Sequence, residues 1–288
     1  MRIDAHTHCY PPSFAGRRPQ IAAQDATFAA LFADQKARLA TAEDLVAALD
    51  RAAIDAAVAA GIGWTDPTKA HEANDYILES ARRFPGRIIP FCSVNPAWGE
   101  AALGEVERCA GLGALGVGEL HPDTQGFRLD DSATLGPFAR QVAGLGMAVL
   151  THVSEPVGHR YPGKGAATPE QALAFAQAFP DVRLICAHWG GGLPFYALMP
   201  EVAEAMRNVW FDSAASPYLY RSEVFPTVAG LVGADKVLFG SDFPVLRPER
   251  VLKDLHAGGL SDDARQAILG GNAASLLRLA ERGWRGRE

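Results

Sequence analysis

Two histidines separated by one residue, His6 and His8, follow directly on Ile3-Asp4-Ala5. On an extended strand, residues i and i+2 face the same side, so this pair can chelate one cation. A His-x-His alone is weak evidence, but three further residues of ligand type repeat the placement. His152 closes Val149-Leu150-Thr151, His188 closes Leu184-Ile185-Cys186-Ala187, and Asp242 closes Leu238-Phe239-Gly240-Ser241. Each ends an apolar run and precedes turn chemistry: Ser154-Glu155-Pro156, Gly190-Gly191-Gly192 and Phe243-Pro244. Imidazole and carboxylate donors suit zinc first, and manganese, iron or cobalt are also compatible. One or two such divalent ions would supply hydroxide at neutral pH, because a bound cation lowers the pKa of water to about 7.

For these side chains to meet, the runs that carry them must be parallel strands ending on one side. Eight short apolar segments recur: around Ile3, 56–60, 88–94, 114–120, 148–152, 182–188, 209–212 and 237–242. Most are apolar on both pleat faces, as strands buried in a parallel sheet are. Helical patterns lie between them. Thr41-x-x-Asp44 and Thr168-Pro169-x-Gln171 are capping-box signatures, and Pro169 at a first helical position loses no hydrogen bond. The alternation predicts an α/β fold in one domain over residues 1–288; eight strands suggest a single (β/α)₈ TIM barrel with its active site at the C-terminal strand ends, although a doubly wound sheet would give much the same pattern. Pro11–Gln20 is expected to form an extended loop after strand 1, and Ser154–Ala167 another after strand 5.

With these positions placed, the wording of the chain resembles a known family. Ile3-Asp4-Ala5-His6-Thr7-His8, Ala187-His188-Trp189-Gly190-Gly191, Phe239-Gly240-Ser241-Asp242-Phe243-Pro244 and Gly271-Asn272-Ala273-Ala274 are similar, in order, to phrases of the amidohydrolase superfamily. The match is to its aminocarboxymuconate-semialdehyde-decarboxylase-like branch, amidohydrolase family 2, and it runs nearly end to end. The resemblance implies the barrel, the metal and a ligand set of His6, His8, His152, His188 and Asp242. One residue departs from it. Glu119, in Gly116-Val117-Gly118-Glu119-Leu120-His121-Pro122, stands where many members of that branch carry Lys. Elsewhere in the superfamily this strand end supplies a carboxylated Lys or a Glu that bridges two metals. A carboxylate facing other ligands calls for a neutralising cation; an ion pair or a substrate contact is the competing reading. If Glu119 bridges, His6, His8 and Asp242 hold one ion, and His152 and His188 the other.

Around this set, Asp4 is expected to point inward and orient a ligand histidine, or to make an ordinary buried hydrogen bond. His121, Arg160 and Trp189 are candidate substrate contacts, with Lys164 beside Arg160 in the fifth loop, where solvated loop charges are the competing reading. Trp64, Tyr218 and Phe243 are candidate pocket walls or plain packing. His71 and His256 fall in helical stretches and read as surface residues. Cys9 reads as a small buried residue.

A net charge of -6 argues against a nucleic-acid partner. No apolar run is long enough to span a membrane, and the start carries no signal-peptide pattern, so cytoplasmic localisation is expected. The four scattered cysteines, none in a CxxC pair, agree with a reducing compartment. Neither a dinucleotide fingerprint nor a nucleophile elbow is present. The partner is then a small molecule, and a homo-oligomer is compatible with the chain. The first expectation is a hydrolase that attacks an amide, ester or lactone with activated water, Asp242 passing the proton. With a single ion, His188 would instead polarise the substrate. The alternative is a non-oxidative decarboxylase, a lyase in which Asp242 or His188 moves a proton to carbon. A non-catalytic binding protein would be expected to lack part of the ligand set.

Overall fold

The computed structural model describes residues 1–161, 163–284 and 286. Eight parallel strands follow one another in the order β1 to β8. They are β1 (Ile3–His8), β2 (Ala56–Ala60), β3 (Ile88–Cys92), β4 (Gly116–Leu120), β5 (Ala148–Thr151), β6 (Arg183–Cys186), β7 (Val209–Asp212) and β8 (Val237–Leu238). The ring closes between β1 and the segment after β8. Ala5 N–H donates to Phe239 O at 2.7 Å, His8 N–H to Phe243 O at 2.7 Å, and Asp242 N–H to His6 O at 2.9 Å. The barrel expected from the alternation is therefore present.

Alternate residues of each strand fill different layers, which is why the strands are apolar on both faces. Ile3, Ala5, Val58, Phe91, Leu150 and Ile185 pack together in the barrel interior, closed below by Leu276, Leu277 and Leu279 near the chain end. Ala57, Ala59, Val149 and Phe211 face the surrounding helices instead. Thr41 starts one of these helices with a complete capping box: its Oγ1 accepts from Asp44 N–H at 3.3 Å, and Asp44 returns the bond to Thr41 N–H at 3.0 Å. Thr168 caps Pro169–Ala178 in one direction only, because the Gln171 side chain turns to Ala166 O.

The stretch after β1 corrects the expectation of a loop over Pro11–Gln20. It folds into α1 (Ser13–Gly16), α2 (Arg18–Gln24) and α3 (Ala26–Phe32) before α4 (Ala42–Ala52). The polar run Arg17–Gln20 suggested a loop, yet Phe14, Ile21, Phe28 and Phe32 bury together on Ile62 and Trp64. Asp25 fastens this insertion. One of its oxygens caps α3 through Phe28 N–H at 2.8 Å, and the other accepts from Thr65 and Asp66 N–H at 2.6 and 2.9 Å. The stretch 152–168 after β5 does stay without helix or strand where it is described. Among the described residues no helix is long and apolar enough to cross a membrane, and all four cysteines are free and buried.

Candidate metal centre

Strand ends deliver the ligand-type residues to one place, but two local irregularities aim them. Between Asp4 and Thr7 the register of β1 gains one residue on β2. Ile3 and Ala5 face the interior, and this bulge lets His6 and His8 face it as well. A second extra residue lies between Val117 and Leu120 of β4, opposite β5, and turns Glu119 inward. The glycine before it is required there: Gly118 has φ +146°, and a Cβ would lie 2.3 Å from the Leu150 carbonyl oxygen. After β6 the chain turns through consecutive left-handed residues, His188 to Gly192. At Gly191 a Cβ would meet the Ser154 carbonyl oxygen at 2.5 Å, so the triple glycine serves this tight turn beside His188.

The resulting geometry divides in two. His6 Nε2 and His8 Nε2 are 3.2 Å apart, and Asp242 Oδ1 lies 3.4 Å from the latter and 3.9 Å from the former. Glu119 Oε2 faces this pair at 3.5 and 3.7 Å. Its other oxygen, Oε1, lies 3.1 Å from His152 Nδ1 and 3.4 Å from His188 Nε2. One carboxylate thus presents each oxygen to a separate pair of imidazoles.

Hydrogen bonds behind the rings set which nitrogen is free. His6 Nδ1–H donates to Asp212 Oδ2 at 2.8 Å, His8 Nδ1–H to Ala60 O at 3.1 Å, and His188 Nδ1–H to Ala214 O at 3.1 Å. With each Nδ1 carrying the proton, each Nε2 lone pair points into the site. His152 is reversed: Nε2 meets Ser154 Oγ at 3.0 Å, leaving Nδ1 toward Glu119. Two lone pairs 3.2 Å apart repel unless a cation joins them. Ligand nitrogens bonded at about 2.1 Å to one ion sit about 3.0–3.4 Å apart, so the donors fit a divalent metal. His6, His8 and Glu119 form one cluster with ligand atoms within 4.8 Å, and Glu119, His152 and His188 form another.

Without an ion, the acidic and basic groups of the site compensate one another. Burial opposes charge on His6, but the Asp212 and Glu119 carboxylates outweigh it and hold the imidazole well above its ordinary pKa. His188, also opposed by burial, is raised to about 9 by Glu119 and Asp242. Burial disfavours the Glu119 anion, yet His6, His152 and His188 pull its pKa well below the usual range. His121 goes the other way: burial and the neighbouring His152 lower it to about 3, so it is neutral.

The predicted residues are placed unequally. His6, His8, Glu119, His152, His188 and Asp242 converge. They meet at a cavity of about 540 Å³ that His8, Glu119, His152, His188 and Asp242 line. His121 lines it too, its ring stacked on His152 at 4.3 Å. Tyr218 lines it, whereas Trp64 and Phe243 are core. Trp189 is corrected: its indole is fully buried, donates to Ser216 Oγ at 2.9 Å and packs on Phe225, away from the cavity. Arg160 is corrected as well; it is exposed and lies outside the lining, although His159 and Tyr161 on either side of it belong to the lining. Lys164 is held inside its own loop by Glu155 and the Val157 and His159 carbonyls. Asp4 does not share the facing of His6 and His8, because the β1 bulge intervenes. Its carboxyl, pushed up to about 7 by burial, accepts from the Ser241 and His6 amides rather than from an imidazole.

The orienting residue that sequence reasoning missed is Asp212. It closes β7 as the ligands close their strands, and besides His6 it accepts from the His188 amide at 3.0 Å. That placement was the available signal. Tyr10, Lys36, Arg38 and His159 also line the cavity, from segments with no strand-end signature.

Comparison with known proteins agrees with this picture. A γ-resorcylate decarboxylase from a Polaromonas species is 25% identical over 260 residues, covering 74% of this chain and 78% of that protein. Among solved structures, 5-carboxyvanillate decarboxylase from Sphingomonas paucimobilis superposes with a TM-score of 0.78 at 16% identity, over 96% and 98% of the two chains. A dihydroxybenzoic acid decarboxylase from Polaromonas, solved with bound manganese and 2-nitroresorcinol, gives 0.75 at 19% identity over 97% of both. These relatives match the decarboxylase alternative better than the hydrolysis expected first. The amidohydrolase family model matches residues 3–279, and the chain belongs to that family.

Proposed function

We propose that this enzyme is a metal-dependent non-oxidative decarboxylase of a small aromatic carboxylic acid. The observation that carries the reading is a cavity walled by Phe32, Ile62, Tyr161 and Tyr218 over imidazole and carboxylate donors. The resorcylate decarboxylase relative supports it. Lys36 and Arg38 in the lining favour an anionic ligand. In this reading His6, His8 and Asp242 hold one divalent ion, manganese or zinc, and His152 and His188 face the place of a second across Glu119.

A bound cation supplies the positive charge that fixes the oxygens of the acid and withdraws electrons from it. The chain's own groups do the rest. Asp212 keeps the His6 ring in its tautomer, and neutral His121 forms part of the wall. Asp242 gives a proton to the ring carbon that bears the carboxylate. The carbon–carbon bond then breaks, its electron pair restores the aromatic ring, and carbon dioxide leaves. Asp242, now a carboxylate, is reprotonated from solvent, so no oxidant is consumed. Metal-saturated enzyme incubated without oxygen with γ-resorcylate or 5-carboxyvanillate is expected to release one carbon dioxide per acid consumed. Turnover of esters or lactones, with neither acid losing carbon dioxide, would overturn the reading.

Glu119 favours a second reading, hydrolysis of an amide, ester or lactone at a two-ion centre. Its oxygens face separate imidazole pairs, the arrangement of a carboxylate between two cations. On this second reading close to two metal equivalents per chain are expected under saturating zinc or manganese. Glu119→Gln should bring this toward one, since an amide bridges cations poorly. Elemental analysis of both proteins decides it. One equivalent in each would remove the bridge and, with it, the main support for hydrolysis.

A further inference from the structure

Tyr10 stands two residues beyond His8, where the chain leaves β1 for the inserted helices. Its amide donates to Ala40 O at 2.8 Å, and its ring meets Phe32 edge to face at a centroid distance of 5.2 Å. The residue is only 2% exposed, yet it lines the same cavity as Glu119 and Asp242. Its hydroxyl is buried and has no hydrogen-bond partner among the described residues. Buried tyrosine hydroxyls are nearly always paired, because a buried donor without a partner has given up its hydration for nothing.

We propose that Tyr10 is a substrate-binding residue whose hydroxyl donates to an anionic oxygen, carboxylate or phenolate, of the acid in the cavity. The nearby Glu119 and Asp242 only accept when ionised, and His8, His152 and His188 aim lone pairs at the metal places, so none of these five gives an anionic oxygen a neutral donor. Tyr10 supplies one. Its surroundings, Phe32 among them, keep water away, which strengthens a hydrogen bond to charge. The ring is packed edge to face on Phe32 and its backbone is tied to Ala40 whether or not a ligand is present, so the donor is positioned in advance. The choice of acid rests on the decarboxylase reading above.

Tyr10→Phe removes the hydroxyl and keeps the ring. Metal-saturated wild type and variant are compared by thermal unfolding without ligand, and by calorimetric titration with γ-resorcylate, 5-carboxyvanillate and benzoate. The variant is expected to melt no lower than wild type and to hold the same metal, since the hydroxyl bonds to nothing in the free protein. Its Kd for the acids should rise on the order of tenfold to a hundredfold. A ligand-free melting point several degrees lower, or unchanged Kd values, would overturn the proposal. Failure of wild type to bind any of the three acids would overturn both this role and the substrate class. Tyr10-dependent binding without release of carbon dioxide would overturn the decarboxylase reading alone.

Discussion

Asp242→Asn is expected to lower kcat on the order of 10²-fold or more while leaving the fold intact. The position tolerates the change. Asp242 has φ +65°, in the left-handed region that Asn enters as readily as Asp. Its structural bonds are backbone ones: its amide donates to His6 O at 2.9 Å, and its carbonyl accepts from Val245 N–H at 2.8 Å. Neither bond needs the carboxylate. What the substitution removes is a negative oxygen 3.4 Å from His8 Nε2, on a side chain that is 13% exposed at the cavity. Under either proposed chemistry that oxygen would carry the proton, to carbon in decarboxylation or from water in hydrolysis. An amide cannot do so. The measurement is kcat at saturating metal, with metal content determined on the same samples. Near-native turnover with full metal would exclude Asp242 as the proton carrier.

Removal of the metal is expected to abolish turnover, to below about 1% of the loaded enzyme, with recovery on adding zinc or manganese. The barrel should stay folded. Its four apolar clusters contain none of the convergent histidines, and a core of this size does not need an ion to form. Without the cation, protons on His6 and His188 can answer the Glu119 charge, as their raised pKa values indicate. The unfolding midpoint should still fall, because an ion that binds only the folded state stabilises it by about 4 kcal/mol at a thousand times its Kd. Circular dichroism and a melting curve, run beside the activity assay on chelated and reloaded protein, test both halves. Full activity after verified removal of transition metals would sink the metal assignment. Loss of cooperative unfolding would mean that the centre also holds the barrel together.

The ligand-type residues were legible in the sequence because strand periodicity is local. An apolar run that stops at His152, His188 or Asp242 declares both a strand and its end, and a barrel sends all such ends to one face. The two-and-two division of imidazoles around Glu119 was an expectation that the family resemblance implied, and the geometry places the rings that way. The same local reasoning misplaced Asp4. Strict alternation carried it to the face of His6 and His8, but a one-residue bulge reverses the alternation between them, and no local pattern records a bulge in the partner register. Asp212 carried a visible signal as a strand-ending carboxylate. Its bond to the His6 ring nevertheless joins residues 206 positions apart, a distance only closure of the barrel spans.

The cavity wall was the least legible part. Trp189 adjoins His188 in sequence, yet consecutive left-handed residues turn its ring into the core. Arg160 lies outside the lining, while His159 and Tyr161 on either side of it line the cavity. Tyr10 and Phe32 reach the site only because α1 to α3 bury their apolar residues on Trp64 instead of forming a loop. The sequence by itself determined the alternation of strands and helices, the strand ends that carry the chemistry and the donors available there, since each depends on spacing along the chain; that the strands close in sequential order as a barrel, and not as a doubly wound sheet, was decided by the tertiary structure. Which rings wall the cavity, which carboxylate orients His6 and which hydroxyl is left without a partner were decided by tertiary packing. Those relations depend on how inserted segments bury their apolar surface against distant strands, a global balance of burial that no short stretch of sequence contains.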